Sequence, residues 1–444
     1  MASRRQLVED LFARDASLLR DLAAGKVGIP VAPYVLTEAL AKSASAREHT
    51  AVAPLGSLQA LIRPVFGKVG IKTPTFGDHP DYVHLRGTTT TERGPITTLF
   101  LDVANSTRLG LLYPLELVYV LKNAVLCTAI EIANAFDGHV QRLMGDAALA
   151  FFGDKGRSAE DGAIDALNCA AVLRYYVEAV VIPALDGAGG PEDGLGIRVG
   201  VDHGAGPDVL WSAYGYPGNE EVTATSFYVD VASKLQHAAG RNQIMVGQRV
   251  RELLDFPERL LRDKTEIVDG QSVAVPFVRP NYTLRDGTRH NYRQHLLRWD
   301  DYLATTGAAT FDPARFTSAA THPDSCQVTV SVHAAEHGVS QGGYAPASRM
   351  LPKGAWLRFA VSAAPQLRGA DVTFAVENHG ADAAKAPNND NHETHRTLGM
   401  GADAAVRWES CQYRGLHYMT ITVAGTSPRS TAPVFRQRIG IYVA

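Results

Sequence analysis

Asp102 closes the apolar run Leu99-Phe100-Leu101-Asp102-Val103, and Asp146 lies in Leu143-Met144-Gly145-Asp146-Ala147, between two further apolar runs. A carboxylate at the end of a buried strand is costly unless a cation meets it. Two that converge call for a divalent ion. Metal pairs held by carboxylates serve phosphoryl chemistry, because they neutralise phosphate oxygens and activate a hydroxyl. Taken singly, Asp102 reads as the N-cap of a following helix and Asp146 as a turn residue. The metal reading rests on the pair. Arg198, in Gly196-Ile197-Arg198-Val199-Gly200-Val201, adds a planar cation inside an apolar strand, suited to phosphate oxygens. Two other constellations are discounted. His392-Glu393-Thr394-His395 is one residue short of the H-E-x-x-H zinc pattern and follows the polar run Asn388-Asn389-Asp390-Asn391, so it reads as a polar loop. His203, in Asp202-His203-Gly204, reads as a strand-end residue and not a base.

The elements that must hold these residues follow from periodicity. Ile96 to Leu101 is a buried strand, and the helix-spaced stretch Leu115 to Phe136 stops at Asp137-Gly138. His139 to Gly153 reads as a hairpin with Gly145-Asp146 at its turn. Ser158-Ala159-Glu160-Asp161 is a capping box opening a helix to Val181. A glycine-rich loop at Asp186 to Pro191 precedes a strand from Leu195 to Val201. Val209 to Tyr214 is a further strand, Val222 to Ala239 a helix, and Gln243 to Val246 a short strand. This alternation predicts an α+β domain, a mixed sheet with helices packed on one face, over residues 96–285. Residues 1–95 read as a helical region that opens with an amphipathic pattern (Leu7, Leu11, Phe12, Leu18, Leu19, Leu22), and 286–319 as a linker. From about residue 320 short alternating runs such as Gln327 to Val332 and Tyr418 to Val423 predict an antiparallel β-sandwich to residue 444.

Composition sets outer bounds. The chain has 444 residues, 45% hydrophobic and 20% charged, with a net charge of −3, which gives no electrostatic case for binding nucleic acid or a membrane surface. No run approaches transmembrane length. Four cysteines (Cys127, Cys169, Cys326, Cys411) without CxxC spacing read as buried free thiols, in keeping with a cytoplasmic protein.

Over about residues 96–280 the chain resembles the class III nucleotidyl cyclases, through Phe100-Leu101-Asp102-Val103 with Thr107, Gly145-Asp146 on a hairpin, and Arg198. The resemblance implies that Asp102, Asp146 and the Val103 carbonyl hold two Mg²⁺ or Mn²⁺ ions. It further implies that Phe100, Val103, Ala104, Asn105, Ser106 and Thr107 border the substrate and that Arg198 binds phosphate. In such enzymes the 3′-hydroxyl of a nucleoside triphosphate attacks its own α-phosphate and expels pyrophosphate. The departures narrow the family. The lysine and acid that read adenine are replaced by Arg142 and Thr223. An asparagine and arginine on the following helix are replaced by Asp230 and Lys234. With the β-rich tail, these resemble the bacterial pyrimidine cyclases of the Pycsar anti-phage system. Trp356, Val376 to Gly380, Arg396 to Gly399, Glu409 and Tyr413 to Tyr418 are similar to their C-terminal sensor domain. Arginine presents only donors, which matches the carbonyls of uracil, so the expectation is UTP converted to cyclic UMP. Cyclic CMP from CTP, or a non-catalytic nucleotide-binding homologue, are the alternatives. The resemblance also implies a homodimer with shared sites: metals and Arg198 from one protomer, Arg142, Thr223, Asp230 and Lys234 from the other. A separate effector would answer the product, and a phage signal would act as trigger.

Overall fold

The computed structural model describes residues 56–112, 115–181, 196–310, 315, 326–425 and 433–444. The expected N-terminal amphipathic helix and the glycine-rich loop at 186–191 lie outside them. In chain order the first part comprises α1 (Ser57–Val65), β1 (Glu92–Arg93), β2 (Ile96–Val103), α2 (Ser106–Leu112), α3 (Leu115–Ala135), β3 (His139–Met144), β4 (Ala147–Phe152) and α4 (Ala159–Tyr176). There follow β5 (Ile197–Gly204), β6 (Leu210–Tyr216), β7 (Asn219–Thr225), α5 (Phe227–Ala238), β8 (Gln243–Gly247), α6 (Gln248–Leu254) and β9 (Leu261–Arg262). Two small hairpins, β10 (Thr265–Val268) with β11 (Gln271–Ala274) and β12 (Tyr282–Thr283) with β13 (Arg289–His290), precede β14 (Gln294–Leu297) and α7 (Trp299–Leu303).

A seven-stranded sheet of order β3-β4-β2-β5-β8-β14-β9 forms the centre. Its one parallel pair is β5 with β8. Strand alternation divides the sheet into two faces. Leu99, Leu101 and Val103 of β2 with Ile197, Val199 and Val201 of β5 enter the core formed with α3 and α4. Ile96 and Phe100 turn the other way, toward Trp211 and Val222 of the β6–β7 ribbon. Asp102 and Arg198 belong to this second face by the same alternation. Helix α5 lies there too, over Gly200: a Cβ at that position would come within 2.3 Å of the Ala232 carbonyl and the Gln236 nitrogen. Helices therefore cover both faces, where the sequence reading placed them on one. We expect Gly200→Ala to cost about 2 kcal/mol or more, because backbone must move to admit the methyl. Thermal unfolding checks this, and an unchanged Tm would mean that α5 does not bear on the strand as described.

Three other sequence readings change. The helix expected from Val222 begins at Phe227, capped by the Ser226 hydroxyl, which accepts from Tyr228 N at 3.2 Å. Residues 219–225 are instead the second strand of a ribbon, with Val222 and Ala224 buried and Glu221, Thr223 and Thr225 opposite. The segment 286–319, read as a linker, contributes β14, which pairs with both β8 and β9 through Gln294 to Leu297. The part of the N-terminal region from residue 56 onward is built into the sheet domain. Arg63 of α1 donates to the Asn134 and Ala135 carbonyls at 3.1 Å each, and Lys68 bridges Asp137 and Asp165 at 2.8 Å each.

The tail forms the expected sandwich, except that β17 pairs with β23 in parallel. Strands β15 (Cys326–His333), β16 (Ser340–Gly343), β17 (Met350–Leu351), β18 (Trp356–Ala363), β19 (Asp371–Glu377), β20 (His392–Thr397), β21 (Gly401–Ser410), β22 (Gly415–Val423) and β23 (Phe435–Val443) form sheets of order β16-β15-β18-β21 and β17-β23-β22-β19-β20. Their facing sides bury Leu357, Phe359, Met419, Ile421 and Ile439. The opposite side of β22 and β23 sends Leu416, Tyr418 and Tyr442 into the core of the first domain. There Tyr442 Oη donates to Tyr302 Oη at 3.2 Å, and Tyr302 Oη to Asn168 Oδ1 of α4 at 2.9 Å. His392 to His395 lie on β20 and not in a loop, with the His392 ring 3.1 Å from Glu409. Cys169, Cys326 and Cys411 are buried free thiols, while Cys127 is exposed, against expectation. No helix among the described residues is long and apolar enough to cross a membrane.

Candidate active site

Register brings the first cluster together. Asp102 pairs across the sheet with Arg198 on one side and with Ala147 on the other, which sets the Gly145-Asp146 tip beside it. The hairpin turns there because Gly145 takes φ 67°, a left-handed conformation that glycine adopts without strain. Arg198 forms a two-pronged pair with Asp102, Nε donating to Oδ1 at 2.8 Å and a terminal nitrogen to Oδ2. The hydrogen bond to Asp102, with the field of Asp146 added, raises the guanidinium above its ordinary pKa. Lys122 of α3, which the sequence did not single out, stands 3.9 Å from Asp146.

After Val103 the chain leaves the sheet in a tight turn. Ala104 N donates to the Gly196 carbonyl at 2.8 Å, Asn105 takes φ 58°, and Ser106 opens α2. Phe100 packs toward the ribbon on the same face as Asp102. The structure therefore gathers Asp102, Asp146, Arg198, Phe100 and the Val103–Thr107 turn at one end of the sheet.

The donor set fits a hard divalent cation. Two carboxylates, 17% and 22% exposed, and a backbone carbonyl are all oxygen ligands, and Mg²⁺ commonly takes one or two carboxylates with the rest from water and phosphate. No cluster of three or more His, Cys, Asp or Glu side chains that could hold a metal occurs among the described residues.

Arg142 lies on the same sheet face, and Thr223 on the ribbon that packs over that face. Arg142 pairs across β4 with Leu149, which faces Phe100. Thr223 stands on β7, not on a helix. Beside it the structure adds a residue the sequence reading missed: the Glu221 carboxylate is ion-paired with Arg142. Nothing local in the sequence marks Glu221, because its partner is on a distant strand.

Asp230 and Lys234 form a third group, one turn apart on the exposed side of α5. Partial burial raises the Asp230 carboxyl above its ordinary pKa, and Lys234 pulls it back. Helix α5 runs antiparallel to β5, with Tyr228 over Gly204 and Gln236 over Gly200. Asp230 and Lys234 are exposed, whereas Ala232 and Gln236 of the same helix pack on Gly200.

Residues 308–444 match the family model described as the adenylyl/guanylyl and SMODS C-terminal sensor domain. A cytidylate cyclase of Escherichia coli is 35% identical over 395 residues, which cover 85% of this chain and 81% of that protein. One of Staphylococcus aureus is 37% identical over 243 residues, covering 54% and 55%. Among solved structures, the adenylyl cyclase CyaB from P. aeruginosa is 20% identical and covers 47% of this chain and 95% of that one, with a TM-score of 0.37.

Proposed function

We propose, because this chain belongs to the class III nucleotidyl cyclases that carry a C-terminal sensor domain, that it cyclises a pyrimidine nucleoside triphosphate and prefers CTP. The observation that carries the cyclase reading is the convergence of Asp102, Asp146 and Arg198 at one sheet end. In the reaction the 3′-oxygen bonds to the α-phosphorus, the bond to pyrophosphate breaks and the hydroxyl proton is released. Metal held by Asp102, Asp146 and the Val103 carbonyl would neutralise phosphate charge and activate the hydroxyl. The protein's own share is positioning and charge. Arg198 would contribute both, since its fork orients Asp102 and its planar donors suit triphosphate oxygens. Lys234 supplies a point charge for phosphate, without the fork of the family arginine.

The preference for CTP is supported by the names of the relatives, which are cytidylate cyclases. UTP is the second reading, favoured by the donors-only chemistry of Arg142. The lysine and acid that purine readers use are replaced here by Arg142 and Thr223, so ATP and GTP should be poor. The enzyme would act as a homodimer with shared sites. Its product would act on a separate effector in anti-phage defence, and the sensor domain would receive the infection signal. Incubation with each of the four triphosphates and Mn²⁺ tests the assignment. We expect cyclic CMP as the main product, cyclic UMP as the lesser, and purine products at least about a hundredfold lower, since unpaired groups on a base edge cost that much or more. Faster conversion of ATP or GTP overturns the pyrimidine reading; no product from any of the four supports a nucleotide-binding role without turnover.

A further inference from the structure

Strand β7 is held along its free edge with unusual completeness. The amide of Val222 donates to Asp78 Oδ1 at 2.8 Å, and its carbonyl accepts from Gln141 Nε2 at 3.1 Å. Glu220 is engaged as well, its carboxylate accepting from Gly87 N at 2.8 Å and its carbonyl from Arg86. Arg86 is in turn clamped by Asp78 at 2.6 and 2.8 Å. The ribbon is thus fixed against β3 and the 78–87 loop, and Glu221 and Thr223 project from its other face.

On the facing strand the register of β3 slips between Val140 and Arg142, so that Gln141 is an extra, buried residue. Bulges of this kind re-aim the next side chain. Here the bulge turns Gln141 inward to seize β7 and places Arg142 on the face that also carries Phe100 and Asp102. Arg142 then meets Glu221. Both side chains are substantially exposed, and such a pair contributes little to stability. So much backbone fixation around a pair of such small energetic worth points to positioning.

We propose that Glu221 is the acceptor half of the base reader, with Arg142 the donor half, and that the two together select cytosine; this rests on the pyrimidine-cyclase reading above. Along its pairing edge cytosine presents a 4-amino donor, then the N3 and O2 acceptors. A carboxylate beside a guanidinium offers the complementary order, one acceptor followed by donors. Uracil presents acceptor, donor, acceptor, which sets its O4 against the Glu221 carboxylate or leaves a carbonyl unpaired. Arg142 alone matches uracil; Arg142 with Glu221 matches cytosine. Thr223, able to donate or accept, adjusts to either.

The test compares CTP with an otherwise identical triphosphate lacking the 4-amino group, and both with UTP, as kcat/KM ratios on the full chain. Wild type should prefer CTP over the analogue without the 4-amino group at least tenfold. In Glu221→Ala that discrimination should collapse toward unity, and in Glu221→Gln the CTP-to-UTP ratio should fall at least tenfold. Glu221→Asp should keep most of the CTP preference. A wild-type enzyme that cyclises CTP and the analogue equally well overturns the proposal without recourse to any variant, as does a folded Glu221→Gln with an unchanged ratio. A wild type that cyclises no pyrimidine triphosphate defeats the underlying functional reading instead, so the two failures are distinct.

Discussion

Asp146→Ala is expected to lower cyclisation by about a thousandfold while leaving the fold intact, an effect on the scale of removing a preorganised charge from a transition state. Asp146 sits at a hairpin tip, partly exposed, with Lys122 at 3.9 Å as its recorded ion-pair partner. Its loss leaves no buried group orphaned. Asp102 is a different case, because truncation would strand Arg198, whose fork it holds. The cleaner change there is Asp102→Asn, which keeps the shape and removes the charge, and it should be equally inactive. Two measurements separate a metal role from a structural one. Calorimetric titration of Mn²⁺ in the presence of a non-reactive nucleotide should show weakened binding in either variant. Thermal unfolding without metal should move little for Asp146→Ala. Near-normal turnover by that variant, or a wild type indifferent to chelator, would remove the two carboxylates from the mechanism.

How far the sequence reveals such a site depends on the range of the interactions. Asp102 and the Gly145-Asp146 tip were legible because the strand and hairpin that carry them are locally determined, by an apolar run and by a glycine with positive φ. The pairing of Asp102 with Arg198 was not legible, since register between β2 and β5 is set by which faces must be buried. Strand β7 was misread because Val222 to Ala239 carries apolar residues at spacings a helix also accepts. What decides the matter is tertiary: Asp78 accepts from the Val222 amide and Gln141 donates to the Val222 carbonyl, so the segment's backbone bonds are met as a strand. Glu221 became visible only with that correction. The strand in the supposed linker was hidden for a related reason, since Gln294 to Leu297 is short and is stabilised by β8 and β9 on either side. The sandwich was legible because period-two alternation repeats through many strands, while the side of β22 and β23 that docks on the first domain could be assigned only from contacts such as Tyr442 to Tyr302 of α7.

The largest effect expected from mixing variants concerns Lys234. On α5 its side chain is exposed, and the shared-site proposal assigns it to the Asp102 cluster of a second protomer. If it serves phosphate, it serves the cluster of a second protomer, and Lys234→Ala should lose about a hundredfold in turnover, as for a missing cationic clamp. Asp102→Asn should be inactive for the opposite reason, with Lys234 intact. Mixed in equal amounts under conditions of chain exchange, the two dead proteins should form hybrids as half of all dimers. Each hybrid holds one site with both lesions and one with neither. A two-fold dimer with two equivalent sites therefore predicts recovery of about a quarter of wild-type activity. Activity that stays at the level of the separate variants, with exchange demonstrated by differently tagged chains, would mean that each site is built within a single chain. A Lys234→Ala protein of full activity would show that the residue is a solvated surface charge, and base and phosphate recognition would then have to be sought on the same protomer as Asp102.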